Sequence, residues 1–322
     1  MYELIITDKR TGRMWDISET VTEVQLETYR TGSPGKLTFT WLKISEEVHF
    51  FEGDVVRFSV DGQVQFYGWV FTKSKDRWNV FTVTCYDRLR YLKANASYAF
   101  YSMSAGDIIR QIAEDLQISV GTIEDTGYLI PSLIESSKPC IDIIQDAIGQ
   151  TLLNTGIVYV LYDDGEGLSL RAASGWVSDY VLGDESYVTD YTYKTDIDSD
   201  TYNSVKLAHP NESTGKTDVV IAQDSANIAR WGLLQLYKSV DGDVNLAQMN
   251  SQAEQTLSFY NRRRRTFSLS ALGVLGLRAG QMLRVVIDNL GDIDLNRIML
   301  LERVTHTFVN DDHTMEIETL DW

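Results

Sequence analysis

The sequence predicts an α+β fold that is mainly β, with a strand-built module at each end and helices between them. Three observations carry that expectation. β-Branched and aromatic residues alternate through the first ninety-odd positions, apolar residues recur at helical spacing in the middle, and alternation returns with Phe267, Leu269 and Ala271 against Thr266, Ser268 and Ser270.

In the first stretch, Lys36–Leu42 and Val55–Val60 read as strands, and Asp61-Gly62 favours a tight hairpin turn because glycine accepts a positive φ. Two more strands follow at 64–71 and 79–86, with the polar run 73–77 as their connection. Residues 1–98 are expected to form a compact antiparallel barrel or sandwich. The pattern then changes: Ser104 and Asp107 make a capping-box-like start, and Ile108, Ile109, Ile112, Ala113 and Leu116 share one helical face. A second helix is expected from Pro139, with Ile141, Ile144, Ala147, Ile148 and Leu152 on its buried stripe. The segments 157–162 and 168–172, joined by 163–167, read as a hairpin, so 99–200 is a middle α/β domain.

From 201 to 263 a connecting α/β segment holds a long amphipathic helix at 244–261, whose Leu246, Met249, Ala253, Leu257 and Tyr260 share a side. Residues 264–322 form the second β module, with 201–210 as a candidate completing strand. An internal echo links the two ends. The segment 53–60 lies over 280–287 with Gly53 on Gly280 and Arg57 on Arg284, apolar residues facing apolar ones at most other places, and two further strands follow each copy, 66–73 and 79–86 in the first and 297–308 and 313–319 in the second. Either one β module occurs twice, or both copies show only the turn glycine and strand common to any barrel.

Composition narrows the function. With 46 acidic and 29 basic side chains the chain carries −17, and its pI near 4.6 argues against a protein that grips nucleic-acid phosphates. At 43% apolar and 23% charged it is an ordinary globular composition. No window approaches the roughly 18–20 apolar residues of a membrane helix, and the start from Met1 to Asp8 is acidic where a signal peptide is basic. A protein made and kept in cytosol is expected. Cys85 and Cys140 fit no ligand or redox spacing and read as buried thiols.

Motifs for chemistry are missing. His49, His209, His306 and His313 form no metal-binding pair, and no nucleophile elbow is present. Gly32-Ser33-Pro34-Gly35-Lys36 lacks the serine or threonine of a phosphate loop, since Leu37 follows, and Gly273, Gly276 and Gly280 miss the dinucleotide spacing. Asp196, Asp198 and Asp200 alternate like the start of a calcium loop, but Thr201 and Leu207 stand where glycine and glutamate are required. No catalytic residue, metal or cofactor is expected. Arg262, Arg263, Arg264 and Arg265 are the one basic run: either they satisfy a helix C-terminus, or they cross a subunit boundary to a neighbour's carboxylates.

Several strings together resemble the baseplate hub proteins of contractile phage tails and of related defective-prophage and tailocin particles, the late-control-D and PBSX-like hub group. They are Gly32-Ser33-Pro34-Gly35-Lys36-Leu37-Thr38-Phe39, Phe51-Glu52-Gly53-Asp54-Val55-Val56, Phe66-Tyr67-Gly68-Trp69-Val70 and Tyr86-Asp87-Arg88-Leu89-Arg90-Tyr91-Leu92-Lys93. After the helix start at Ser104 come Tyr202-Asn203-Ser204-Val205-Lys206-Leu207, Arg278-Ala279-Gly280-Gln281 and His313-Thr314-Met315-Glu316-Ile317. The resemblance spans nearly the whole chain and rests on the order and spacing of these strings.

The resemblance implies two similar antiparallel β-barrel tube domains with α/β domains between them, and a homotrimeric ring joining the sixfold tail tube to the threefold central spike. Two barrels per chain in three copies would present six similar units to the tube. Implied partners are the tail tube protein, the central spike protein and other baseplate proteins, with DNA or a tape measure passing through the lumen without specific binding. The implied place is the virion or tailocin tail baseplate, assembled in the bacterial host cytoplasm. With the chain ending at Trp322 just after the second module, a separate spike partner is expected. Gly53 and Gly280 are interface candidates at equivalent turns, and Arg262 to Arg265 are candidates where the long helix meets the second module. The alternatives are the hub of a type VI or extracellular contractile injection system and, from another class, a tail-associated peptidoglycan hydrolase.

Overall fold

The computed structural model describes residues 2–44, 47–183, 185–211, 216–240, 244–288 and 295–320. The chain ends read above at Met1 and Trp322 lie outside these residues. Strand outweighs helix over the described residues as a whole. The first module contains β1 (Tyr2–Thr7), β2 (Met14–Asp16), β3 (Val21–Tyr29), β4 (Lys36–Leu42), β5 (Val55–Val60), β6 (Gln63–Lys75) and β7 (Val80–Tyr86). Alternation sets its core: Leu37, Phe39 and Trp41 of β4 pack with Leu4, Ile6, Val56, Phe58 and Val83. The polar connection expected at 73–77 is shorter, because β6 runs on to Lys75, still paired with Phe81, and Asp76 closes the turn by accepting from the Trp78 and Val80 N–H groups.

The middle comprises β8 (Asn95–Met103), α1 (Ala105–Asp115), β9 (Val120–Ile123), β10 (Ile130–Pro139), α2 (Cys140–Thr155), β11 (Tyr159–Asp163) and β12 (Leu168–Ala172). Both helices start where their signals stand. The Ser104 hydroxyl accepts from the Asp107 N–H at 3.1 Å and donates to the Asp107 carboxylate at 2.7 Å, and Pro139 precedes α2 at its cap. Ser104→Ala should cost about 1 kcal/mol, read as a lowered urea midpoint, because it orphans one first-turn N–H group. The core of this unit joins Ile108, Ile109 and Ile112 to Ile141, Ile144 and Ile148, and it also takes Leu89 and Leu92. The boundary expected at 98/99 therefore cuts through a packed unit: the chain leaves the first module at Tyr86, about ten residues earlier.

Next come β13 (Val177–Gly183) and β14 (Val188–Asp196), then an inserted unit of β15 (Ser204–Asn211), β16 (Lys216–Gln223), α3 (Ser225–Trp231), β17 (Gln235–Ser239) and α4 (Leu246–Tyr260). In α4 the side chains of Met249 and Ala253 are fully buried against Val205, Leu207 and Val220. Leu246, placed on the same face by its spacing, is 52% exposed at the first turn. The strand at 201–210 does not complete the second module, because β15 pairs with β16 and β17 in a sheet of its own.

The second module closes the chain with β18 (Arg264–Leu272), β19 (Met282–Ile287), β20 (Leu295–Val309) and β21 (Asp312–Leu320). Its further strand is β14, which pairs with β18. The two modules then have one strand order: β3-β4-β7-β6-β5 in the first and β14-β18-β21-β20-β19 in the second. The correspondence reaches single residues. A bulge between Val21 and Glu23 of β3 recurs between Val188 and Asp190 of β14, and one between Val70 and Thr72 of β6 recurs between Leu301 and Arg303 of β20. The modules share one continuous sheet, in which β3 pairs with β20.

Candidate functional site: the junction of the modules

Gly53 and Gly280 occupy the same turn in the two modules, at φ +91° and +92°. The Gly53 N–H donates to the Val70 carbonyl and the Val70 N–H to the Asp54 carbonyl; the Gly280 N–H donates to Leu301 and the Leu301 N–H to Gln281. The side chain after each glycine completes the match, Asp54 accepting from the Phe51 N–H at 2.7 Å and Gln281 from the Arg278 N–H at 2.9 Å. Their surroundings differ. A Cβ on Gly53 meets nothing within 4 Å, whereas one on Gly280 falls 2.4 Å from Val160 Cγ1 of β11. Gly280 is thus a contact between the second module and the middle unit.

Around that contact lies a buried charge cluster that sequence reasoning did not single out. Asp163, at the end of β11, accepts from the Arg88 N–H at 2.9 Å, from Arg88 Nη1 at 2.7 Å and from the Gly165 N–H at 2.8 Å. Asp87 accepts from the Gly35 N–H at 2.8 Å and the Leu89 N–H at 3.0 Å. Arg278 donates from Nη1 to the Asp163 carbonyl at 2.9 Å, with its guanidinium 4.7 Å from the Tyr162 ring centre. Gly35 is obligatory by space, since a Cβ there falls 2.5 Å from the Asp87 carboxylate. The first module, the middle unit and the second module meet here, beside a cleft of about 240 Å³ that Gly35, Asp87, Asp163 and Arg278 line with Gln65 and His306.

Burial sets the protonation here. It pushes Asp87 up to about 8, with the Asp163 charge adding to the rise and the Gly35 N–H, Arg278 and the Leu89 N–H opposing it. Burial also raises Asp163, against the pull of Arg88, and lowers Arg278. The cluster is desolvated, and removing one charged partner should be strongly destabilising. Three of the strings quoted above supply Gly35, Asp87, Arg88 and Arg278, so those strings converge in space.

A second polar pair sits on β20 and β21. His306 Nε2 is 2.7 Å from the Leu277 carbonyl, which only accepts, so this nitrogen carries the proton and Nδ1 accepts from His313 Nε2 at 2.9 Å. The His313 ring stacks on Phe308 with centres 4.1 Å apart. Burial lowers both imidazoles, His313 to about 4 with the His306 charge adding to it. A depressed folded pKa means that the unfolded chain takes up protons first. Stability from this pair is therefore whole above about 6.5 and is lost as pH falls towards 4. Urea midpoints of the native chain and His313→Phe should converge over that window, and a constant difference would contradict the assignment.

The arginine run spans the end of α4 and the start of β18. The Arg262 carbonyl accepts from the Thr201 hydroxyl at 3.1 Å, the Arg262 guanidinium lies over the Phe259 ring, Arg263 is exposed, and Arg264 pairs with Asp200. Of the aspartates read as a partial calcium loop, Asp196 bonds the Ser199 N–H and Lys194. Among the described residues no group of His, Cys, Asp or Glu is gathered to hold a metal, and no helix is long and apolar enough to cross a membrane. Cys85 and Cys140 are buried free thiols.

The family model described as YQBQ-like matches residues 24–320. The uncharacterized protein YqbQ of Bacillus subtilis (strain 168) is 32% identical over 311 residues, covering 94% of this chain and 93% of its own. The phage-like element PBSX protein XkdQ of the same organism is 31% identical over 304 residues, covering 92% and 91%. Among solved structures, the 43 kDa tail protein of prophage MuSo2 from Shewanella oneidensis superposes with a TM-score of 0.70 at 13% identity, covering 98% of each chain. That likeness concerns the fold.

Proposed function

We propose, from the premise that the chain belongs to the YQBQ-like family, that it is a structural component of a phage-like tail, and more closely its baseplate hub. The PBSX relative belongs to a phage-like element, and the shared fold with a prophage tail protein supports the tail role. The hub reading is carried by one observation, the module present twice with one strand order, two shared bulges and one shared glycine turn. In this reading each module is a tube domain, three copies close a ring, and six similar modules face a sixfold tube while the threefold symmetry faces a spike. The protein acts by shape and has no catalytic step. The charge of −17 suits a passage that DNA or a tape measure traverses without adhesion.

Gly53 and Gly280 would hold equivalent turns in the two modules, whose strands would form the tube wall, and Arg262 to Arg265 would lie near the boundary with a neighbouring copy. Mass photometry across salt and concentration tests the assembly. The expected species has three times the 36.6 kDa of one chain, favoured by salt that screens repulsion between acidic copies. A chain that stays monomeric at every salt, with candidate tube and spike proteins present, overturns the ring.

A further inference from the structure

The two modules differ at both sheet edges: β1 runs antiparallel beside β5 where β13 runs parallel beside β19, and at the other side the repeat leaves an edge open. Over 303–309, β20 has a strand on each side: β21, and β3 in the register Arg303 opposite Tyr29 through Val309 opposite Glu23. The corresponding half of β6, residues 72–75, lies against β7, and among the described residues no strand covers its other side. β14, the counterpart of β3, lies against β18 and likewise has no second strand among the described residues. One chain therefore holds a junction of the kind β20 with β3, and also the two separate halves of a second such junction.

Building on the ring reading, we propose that β14 of one copy adds antiparallel to the open half of β6 in the next copy, in the register that β3 takes on β20. The shared turns and bulges make Val70 the counterpart of Leu301 and Thr72 that of Arg303. The pairs Leu26 with Leu37 and Tyr193 with Phe267 make Tyr193 the counterpart of Leu26. Transferred to the open edges, the register sets Thr72 opposite Asp196, Lys73 opposite Thr195, Ser74 opposite Lys194 and Lys75 opposite Tyr193.

Backbone direction agrees with this. The Asp76 N–H bonds the Val80 carbonyl, so by antiparallel alternation Ser74 bonds β7 while Lys73 and Lys75 turn their amides and carbonyls outward. On β20 the same phase holds, since the Arg30 N–H bonds the Glu302 carbonyl on the side of β3. The loop before β19 touches this part of β20, Leu277 bonding His306, without displacing β3, so a loop beside β6 is no bar to the added strand. Lys73, Lys75, Asp190, Lys194 and Asp196 on the open edges discourage indiscriminate pairing. Because the two junctions are of one kind, repeating them head to tail alternates modules around a closed ring.

Ser74 and Lys194 are both exposed, and the register makes them a non-hydrogen-bonded pair, the close type suited to a disulfide. The test is Ser74→Cys with Lys194→Cys in the full chain, mildly oxidised and run on a non-reducing gel beside mass photometry, the native thiols being buried. The expected result is a ladder to covalent trimer, about tenfold stronger than with Ser74→Cys and Thr192→Cys, whose Cα atoms would lie too far apart in this register. Trimers by mass without the cross-link overturn the strand addition and leave the ring reading standing. Monomers throughout, with the buried thiols and a normal unfolding curve showing an intact fold, overturn both.

Discussion

Replacing Asp163 with alanine should destabilise the chain by about 3–5 kcal/mol, because it strips the charge partner from the largely buried Arg88 and orphans buried donors. Asp163 accepts three hydrogen bonds, two of them from Arg88. Asp163→Asn keeps the shape and one acceptor oxygen, and should cost about 1–3 kcal/mol. The two variants separate charge from hydrogen bonding when both are unfolded in urea. The loss should fall where the chain passes from β7 into the middle unit, because Arg88 follows β7 and Asp163 ends β11. A second readout is available: Asp163 helps hold Asp87 high, so in Asp163→Asn the Asp87 carboxyl should titrate lower, by NMR of that carboxyl. A loss for Asp163→Ala below about 1 kcal/mol would mean that the cluster is not desolvated as described.

The second large effect distinguishes two glycines that the backbone makes equivalent. Gly280→Ala should cost about 2–4 kcal/mol and Gly53→Ala about 1–2, since both force a side chain into positive φ but only one drives a Cβ into Val160. The contact at Gly280 is with the branched, stiff end of a fully packed valine in β11. Adding Val160→Ala to Gly280→Ala should therefore recover part of the loss, and adding it to Gly53→Ala should only deepen it. Equal costs at the two glycines would remove Gly280 from the junction between the second module and the middle unit.

The parts of the fold legible in the sequence were those with a local cause. β4 buries every second residue, as β5 does from Val55 to Phe58, Ser104 caps its helix with its own hydroxyl, and the stripe through Ile108, Ile109 and Ile112 is buried as its spacing requires. β14 was not legible. Its residues between Thr189 and Thr192 are all exposed and only Val188 and Tyr193 pack on the core, so it shows no regular apolar alternation, and its place beside β18 is set by pairing across an insertion of some seventy residues. The sequence echo at Gly53 and Gly280 caught the turn, the strand after it and the two strands that follow in each module, but not the match of β3 and β4 with β14 and β18. The remainder of the repeat lives in strand order and bulge positions, where side chains have diverged: Leu37 answers to Phe267, and Cys85 to Thr319.

The junction was half legible. Gly35, Asp87, Arg88 and Arg278 lie inside strings that drew attention as strings, yet nothing local shows that Asp87 and Asp163 share one buried cluster, because their partners are contributed by segments 52 to 115 residues away. Asp163 itself was read only as the first residue of a turn, which its bond to the Gly165 N–H also makes it. His306 and His313 were visible as histidines on neighbouring strands, and their pairing depends on a register that no local motif encodes.

The central claim is that three copies of a chain with a repeated module close a ring of six like units. Cryo-EM of the purified protein, alone and with candidate tube and spike proteins, tests it most directly. The predicted result is a threefold ring around an open channel, with the strands β3 to β7 and β14 with β18 to β21 at one radius and superimposable after a rotation of about 60°. A particle in which the two modules lie at different radii, or in which no closed ring forms with the partners present, would contradict it.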